Sequence, residues 1–219
     1  MRVKICNREI KAIIFDLDGT LIDSTFVWRE VDKEFFGRRN REIPPTYLED
    51  IAHVGLPEAA ILTRTKYGVK ESQEEILKEW HDSVAYKYEH QIQLKPFAKE
   101  YLDYLKKNNI KLAIATASQP DLYEPCLKRL GVFDYFITIA DVNKVHAGKS
   151  SVKLYNYVAD ILGEKPENIA VFEDIYVGLK TAYENGFLSI AVDDVNSRKD
   201  DELKQKYSHL FIKSFEDMI

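Results

Sequence analysis

The chain has 219 residues, 45% of them hydrophobic, and a formal net charge of −5, which is enough apolar side chain for a core and too much for intrinsic disorder. Acidic and basic residues are interleaved, so composition makes no electrostatic case for nucleic acid or an anionic membrane, and the expected partner is a small molecule. Cys6 and Cys126 are too few for a disulfide framework or a zinc site; with no membrane-length apolar run and no signal-peptide core, a soluble cytoplasmic protein is expected.

In chain order, Met1–Ile10 reads as a short strand and turn, and the apolar run Ala12–Phe15 as the first core strand. No strand is marked from about Thr25 to Lys95. Four helices are expected there, near Thr25–Phe36, Tyr47–His53, Glu58–Tyr67 and Gln73–Tyr88. Trp28, Val31, Phe35 and Ile76, Trp80, Val84 recur at helical spacing, and Thr46 with Glu49 and Ser72 with Glu75 have the spacing of capping boxes. From Pro96 onward, short β-rich runs alternate with helical ones. A helix is expected over Pro96–Lys107, and strands at Lys111–Ala115, Tyr135–Ile139, Asn168–Phe172 and Leu188–Val192, with an edge strand at Leu210–Ile212. Helical stretches end at Leu130, Leu162 and Asn185, each followed by glycine. The pattern predicts an α/β fold, a doubly wound parallel sheet of Rossmann-like type built from residues 1–23 and 96–219. Residues 24–95 are expected as an inserted α-helical cap.

The strongest chemical signal is Ile13-Ile14-Phe15-Asp16-Leu17-Asp18-Gly19-Thr20-Leu21. An apolar strand ends abruptly in two acids, which places both carboxylates where open α/β sheets bind ligands, and Gly19 lets the chain turn sharply. Close carboxylates repel unless a cation sits between them or one holds a proton, so the arrangement points to Mg²⁺ or to acid–base work. Val171-Phe172-Glu173-Asp174 repeats the pattern on a later strand and is followed by Gly178. Thr116 follows the apolar strand Leu112–Ala115, and Lys149 stands in Gly148-Lys149-Ser150-Ser151. The five histidines show no paired ligand spacing.

In these four motifs, in this order, the sequence resembles the haloacid dehalogenase (HAD) superfamily of phosphotransferases, within it the group of β-phosphoglucomutase and many small phosphatases. The resemblance implies that Asp16 attacks phosphorus and Asp18 acts as general acid and base. It implies that the Thr116 hydroxyl and the backbone N–H of Ala117 hold phosphate oxygens and that Lys149 neutralises phosphoryl charge, with Lys144 as a competitor. Asp16, Asp18, Asp174 and Glu173 are the implied holders of Mg²⁺. The third motif departs from the family's Gly-Lys-Pro-x-Pro-Asp, because Ser150 to Lys153 supply neither proline nor acid. The expected activity is Mg²⁺-dependent hydrolysis of a small phosphorylated metabolite, the cap selecting the substrate and Trp28 lining the closed cleft. A sugar phosphomutase is the close rival. Its cap histidine falls at about Trp28 and its phosphate-gripping arginine near Glu58, losses that favour hydrolysis. A rival of another class is a phosphate-binding or receiver-like signalling module, which would lack the helical insertion.

Overall fold

In the computed structural model, which describes residues 3–51 and 54–219, the chain divides into two units. One runs from the N-terminus to Thr25 and continues over Ile92–Ile219, and the other is Phe26–Gln91. The first begins with β1 (Val3–Ile5) and β2 (Arg8–Ile10), an antiparallel pair separate from the main sheet, whose turn residues Cys6 and Asn7 adopt positive φ. β3 (Ala12–Phe15) follows as the first core strand.

The described residues of Phe26–Gln91 form α1 (Val27–Gly37), α2 (Tyr47–Ile51), α3 (Leu56–Thr65) and α4 (Gln73–His90). The first helix starts at Val27, later than the expected Thr25; Ala52 and His53, the expected end of the second, lie outside the described residues. Ser72 and Glu75 form the anticipated capping box, Ser72 Oγ accepting from Glu75 N and Glu75 Oε2 from Ser72 N. The core of this unit is aromatic, with Phe35 against Trp80 and Phe36 edge-on to Tyr47 at a centroid distance of 4.8 Å.

The remaining elements are α5 (Ala98–Lys107), β4 (Lys111–Thr116), α6 (Pro120–Arg129), β5 (Thr138–Asp141), α7 (Val142–Val145), α8 (Val152–Leu162), β6 (Ile169–Glu173), α9 (Tyr176–Glu184), β7 (Leu188–Val192), α10 (Asp201–Lys206) and β8 (Leu210–Ile212). Two expected boundaries move. The helix at Pro96 starts at Ala98 because Phe97 takes a left-handed conformation. The strand placed at Tyr135–Ile139 starts at Thr138, and Phe133–Tyr135 is one 3₁₀ turn. Tyr135 is held off the sheet by its hydroxyl, which donates to Asp103 and accepts from Lys99, and pairing with β4 opens only at Ile137 N→Leu112 O. β-propensity without a ladder partner did not make a strand.

The sheet is parallel throughout, in the order β5-β4-β3-β6-β7-β8. Both faces are covered, which is why β3 and β6 as far as Phe172 read as unbroken apolar runs. On one face Ile14, Val171 and Ala113 pack with Leu154, Val158 and Leu162 of α8. On the other, Phe15 stacks on Phe172 at 5.0 Å, with Tyr101 of α5 and Phe215 closing the cluster. The chain order reverses at β3, so the carboxyl ends of β4, β3 and β6 frame the crevice where such sheets take ligands.

Within this unit the two chain ends that lead toward residues 26–91 run side by side. Ile22 bridges Leu94 in antiparallel fashion, Asp23 N donates to Gln93 O and Lys95 N to Leu21 O, each at 2.9 Å. Asp194, buried after β7, accepts from Lys95 Nζ at 2.7 Å and from Thr25 Oγ1 at 3.3 Å. Among the described residues no helix is long and apolar enough to cross a membrane.

Candidate active site

Asp16 is the first residue beyond β3, its N–H still donating to Phe172 O across the sheet, and Glu173 ends the neighbouring β6 with Asp174 the first residue beyond it. Parallel register brings Phe15 opposite Phe172, so the acids of both strands meet at one edge. One carboxylate oxygen from each of Asp16, Glu173 and Asp174 lies within 4.8 Å of the others, and all three residues are buried. At an effective dielectric near 20, two unit charges at such a separation repel by about 3–4 kcal/mol. One positive group offsets this. Lys149, in the segment between α7 and α8, places Nζ 2.6 Å from Asp16 Oδ1 and 3.1 Å from Glu173 Oε2.

One ammonium facing three carboxylates leaves negative charge uncompensated. Burial pushes the Lys149 ammonium toward neutrality, but the charges of Asp16 and Glu173 outweigh this and hold its pKa well above the ordinary value. Burial, and next the charge of Asp16, raises Glu173 well above the carboxylate range and Asp174 to about 7. A buried all-oxygen cluster that cannot comfortably ionise unaided fits a hard divalent cation such as Mg²⁺. Glu173 is also held otherwise, since its Oε1 accepts from Lys149 Nζ and from the backbone N–H of Asp174 and Ile175, each at 3.2 Å. Asp16 and Asp174 therefore have more oxygen to offer a metal than Glu173 does.

The turn after β3 is built around Gly19 (φ +80), where a methyl group would lie 2.8 Å from Asp174 Oδ2. The next residue, Thr20, donates to Asp174 Oδ1 at 2.9 Å and lies 3.3 Å from Asp16 Oδ2. The sequence reading gave Thr20 no role of its own, because the direction of its hydroxyl depends on that turn. Asp18 is partly buried, accepts from Ser24 Oγ at 2.7 Å, and does not belong to the three-carboxylate cluster with which it was grouped as a metal holder.

Thr116 ends β4 beside the crevice, fully buried, its Oγ1 accepting from Ser118 N at 2.9 Å; the hydroxyl hydrogen is thus left to donate elsewhere. Ala117 follows in an exposed bend. Lys144 is exposed on α7, with Nζ 6.0 Å from the ring centroid of Tyr157, so Lys149 is the lysine that the fold brings to Asp16. Trp28, in the separate helical unit, is 45% exposed on α1 and is not part of that unit's core.

Residues 10–186 match the family model described as haloacid dehalogenase-like hydrolase. The chain is similar to the phosphorylated carbohydrates phosphatase of Thermotoga maritima, with 29% identity over 181 residues covering 81% of this chain and 82% of that protein. It is also similar to the β-phosphoglucomutase of Bacillus subtilis, with 26% identity over 198 residues covering 84% and 83%. Among solved structures it matches CbbY from Rhodobacter sphaeroides in complex with phosphate, with a TM-score of 0.75 and 25% identity over 95% of this chain and 96% of that one.

Proposed function

We propose that this chain, which belongs to the haloacid dehalogenase-like hydrolase family, removes a phosphoryl group from a small phosphorylated metabolite by way of an aspartyl phosphate on Asp16. It is a phosphatase of the HAD type. The observation that carries the mechanism is the meeting of Asp16, Asp174 and Glu173 with Lys149 at the carboxyl ends of β3 and β6.

In the first step Asp16 attacks phosphorus, the bond from phosphorus to the leaving oxygen breaks, and that oxygen takes a proton from Asp18. In the second, water gives a proton to Asp18 and attacks the aspartyl phosphate, releasing phosphate and restoring Asp16. The Ser24 hydroxyl on Asp18 orients this carboxyl for both transfers. Lys149 offsets charge on the phosphoryl oxygens and on Asp16, while the Thr116 hydroxyl and the Ala117 N–H donate to the oxygens that do not react. Mg²⁺, held by Asp16 and Asp174 with Glu173 beside them, would supply the remaining positive charge between the attacking carboxylate and the phosphate. Trp28 is proposed to meet the leaving group and so to influence which metabolite is accepted.

Likeness to a β-phosphoglucomutase supports a second outcome, return of the phosphoryl group to a sugar. Purified protein with Mg²⁺ and a panel of phosphorylated sugars, nucleotides and small acids, scored for free phosphate and for isomer formation, separates the two. Hydrolysis is expected, abolished by Asp16→Asn and by chelation of the metal, with Asp174→Ala weakening both rate and Mg²⁺ response. Full turnover by Asp16→Asn would defeat the mechanism, and isomer formation with little free phosphate would defeat hydrolysis.

A further inference from the structure

The backbone ladder that joins the two chain ends flanking residues 26–91 stops at Asp23, whose N–H donates to Gln93 O. The described hydrogen bonds of Ser24 and Thr25, the next two residues, are made by their side chains and run to different places. Ser24 Oγ donates to Asp18 Oδ1 at 2.7 Å, and Thr25 Oγ1 donates to Asp194 Oδ2 at 3.3 Å. Two consecutive residues are thus tied in opposite directions, one to the turn after β3 and the other to the loop after β7.

Asp194 is built as a fixed point. It is 3% exposed, and its Oδ1 accepts from Asn196 N at 2.9 Å. Its Oδ2 takes Lys95 Nζ at 2.7 Å as well as the Thr25 hydroxyl, so one oxygen receives a cation from the returning chain and a hydroxyl from the outgoing one. Its carbonyl accepts from Ser197 Oγ, which in turn accepts from the fully buried Lys204 Nζ at 3.0 Å. An ionised acceptor holds its donors more firmly than a neutral one. Burial and the charge of Asp16 raise Asp174 first, and the charge of Asp194 adds to them, which puts this clasp beside the acidic cluster. The ladder already pairs the two chain ends; what Asp194 adds is a hold on the residue that follows Ser24.

We propose that Asp194 is a positioning residue for the hydrolysis: it holds Thr25 in place, Thr25 fixes the backbone of Ser24, and the Ser24 hydroxyl keeps the Asp18 carboxyl in the orientation for passing its proton. Asp194 acts through Thr25 and Ser24 and takes no part in the chemistry itself. Its effect on rate rests on the phosphatase reading, whereas its hold on residues 24 and 25 does not.

Thr25→Val removes the hydroxyl and keeps the branched shape, and Asp194→Asn removes the charge and keeps the size. The rate constant kcat/KM, which reports the step that breaks the ester, is measured on p-nitrophenyl phosphate, whose leaving group departs with little help from an acid. It is measured also on the best alkyl phosphate of the panel, whose leaving oxygen needs the proton of Asp18. Each variant is expected to lose about tenfold on the alkyl phosphate and less than about threefold on p-nitrophenyl phosphate. In a Ser24→Ala background, where the route is already cut, Thr25→Val should cost less than about a further twofold. Equal losses on both substrates, unchanged rates, or losses that multiply in full with Ser24→Ala overturn the positioning role. Amide hydrogen exchange over residues 22–25 is followed in parallel and is expected to be about tenfold faster in both variants; exchange at the wild-type rate overturns the hold itself. Wild-type protein inactive on the whole panel would defeat the phosphatase reading and the rate effect with it, and the exchange comparison would still decide the hold.

Discussion

Lys149 Nζ lies 2.6 Å from Asp16 Oδ1, so the ammonium sits where charge would change in the attack proposed for Asp16. Removing a preorganised charge of this kind commonly costs about 10²–10³ in kcat. Lys149→Ala is expected to lose that much, whereas Lys144→Ala, exposed on α7, should lose less than about twofold. Steady-state rates for the two variants decide it, and the reverse ranking would transfer the role to Lys144.

Gly19→Ala should damage the fold and the metal response together. An alanine there is strained at φ +80 and would put its methyl 2.8 Å from Asp174 Oδ2, a conformational cost of about 1–3 kcal/mol before any displacement of the carboxylate. The Mg²⁺ concentration giving half-maximal rate is expected to rise about tenfold or more. An alanine variant as stable as wild type, with the same Mg²⁺ response, would show that the turn does not set the position of Asp174.

Asp32, buried on α1, makes the helical unit sensitive to pH. Burial pushes its carboxyl up to about 7, against the lowering effect of a hydrogen bond with Tyr47, while in the unfolded chain it keeps the ordinary value of 3.8. Below the lower value both states hold the proton and the stabilisation is complete. Between the two values only the folded state keeps it, so stability falls as pH rises, by on the order of 4 kcal/mol once pH passes the folded value. Asp32→Asn should remove this slope. Both tryptophans of the chain, Trp28 and Trp80, lie in the helical unit, so their fluorescence during urea denaturation at pH 5 and pH 8 reports on it directly. Identical pH dependence in variant and wild type would acquit Asp32.

Trp28 and Trp80 should answer differently to truncation. Trp80 is 3% exposed and packs on Phe35, so Trp80→Ala is expected to cost about 3–5 kcal/mol. Trp28→Ala, at an exposed position, should cost about 0.5 kcal/mol or less and shift the ratio of rates on two dissimilar substrates. A large stability loss with an unchanged ratio would remove Trp28 from substrate selection.

The acids were legible because an apolar strand that stops at a carboxylate has few other uses. Asp16, Glu173 and Asp174 needed no more than Ile13-Ile14-Phe15 and Val171-Phe172 before them, and parallel register did the rest. Lys149 was legible by order along the chain but not by its own motif, since the prolines expected after it are absent. Thr20 was not legible, because its hydroxyl reaches Asp174 only through the turn made at Gly19. The strand misplaced onto Tyr135 failed for a similar reason, since a surface pairing with Asp103 and Lys99 outweighed an aromatic run's preference for extended backbone.

The ladder joining Ile22 to Leu94, with Asp23 N on Gln93 O and Lys95 N on Leu21 O, has a further consequence for how this polypeptide can vary. The excursion over residues 26–91 leaves and re-enters at a seam that is already stitched, and Asp194 bolts Thr25 and Lys95 to the floor beneath it. A short hairpin turn from Asp23 to Gln93 would splice the seam shut without altering the register of any strand in the large sheet. A foreign helical cassette could be grafted through the same two stumps. The inserted helical segment and the segment that carries Asp16 are thus separable parts, each open to replacement while the other is kept.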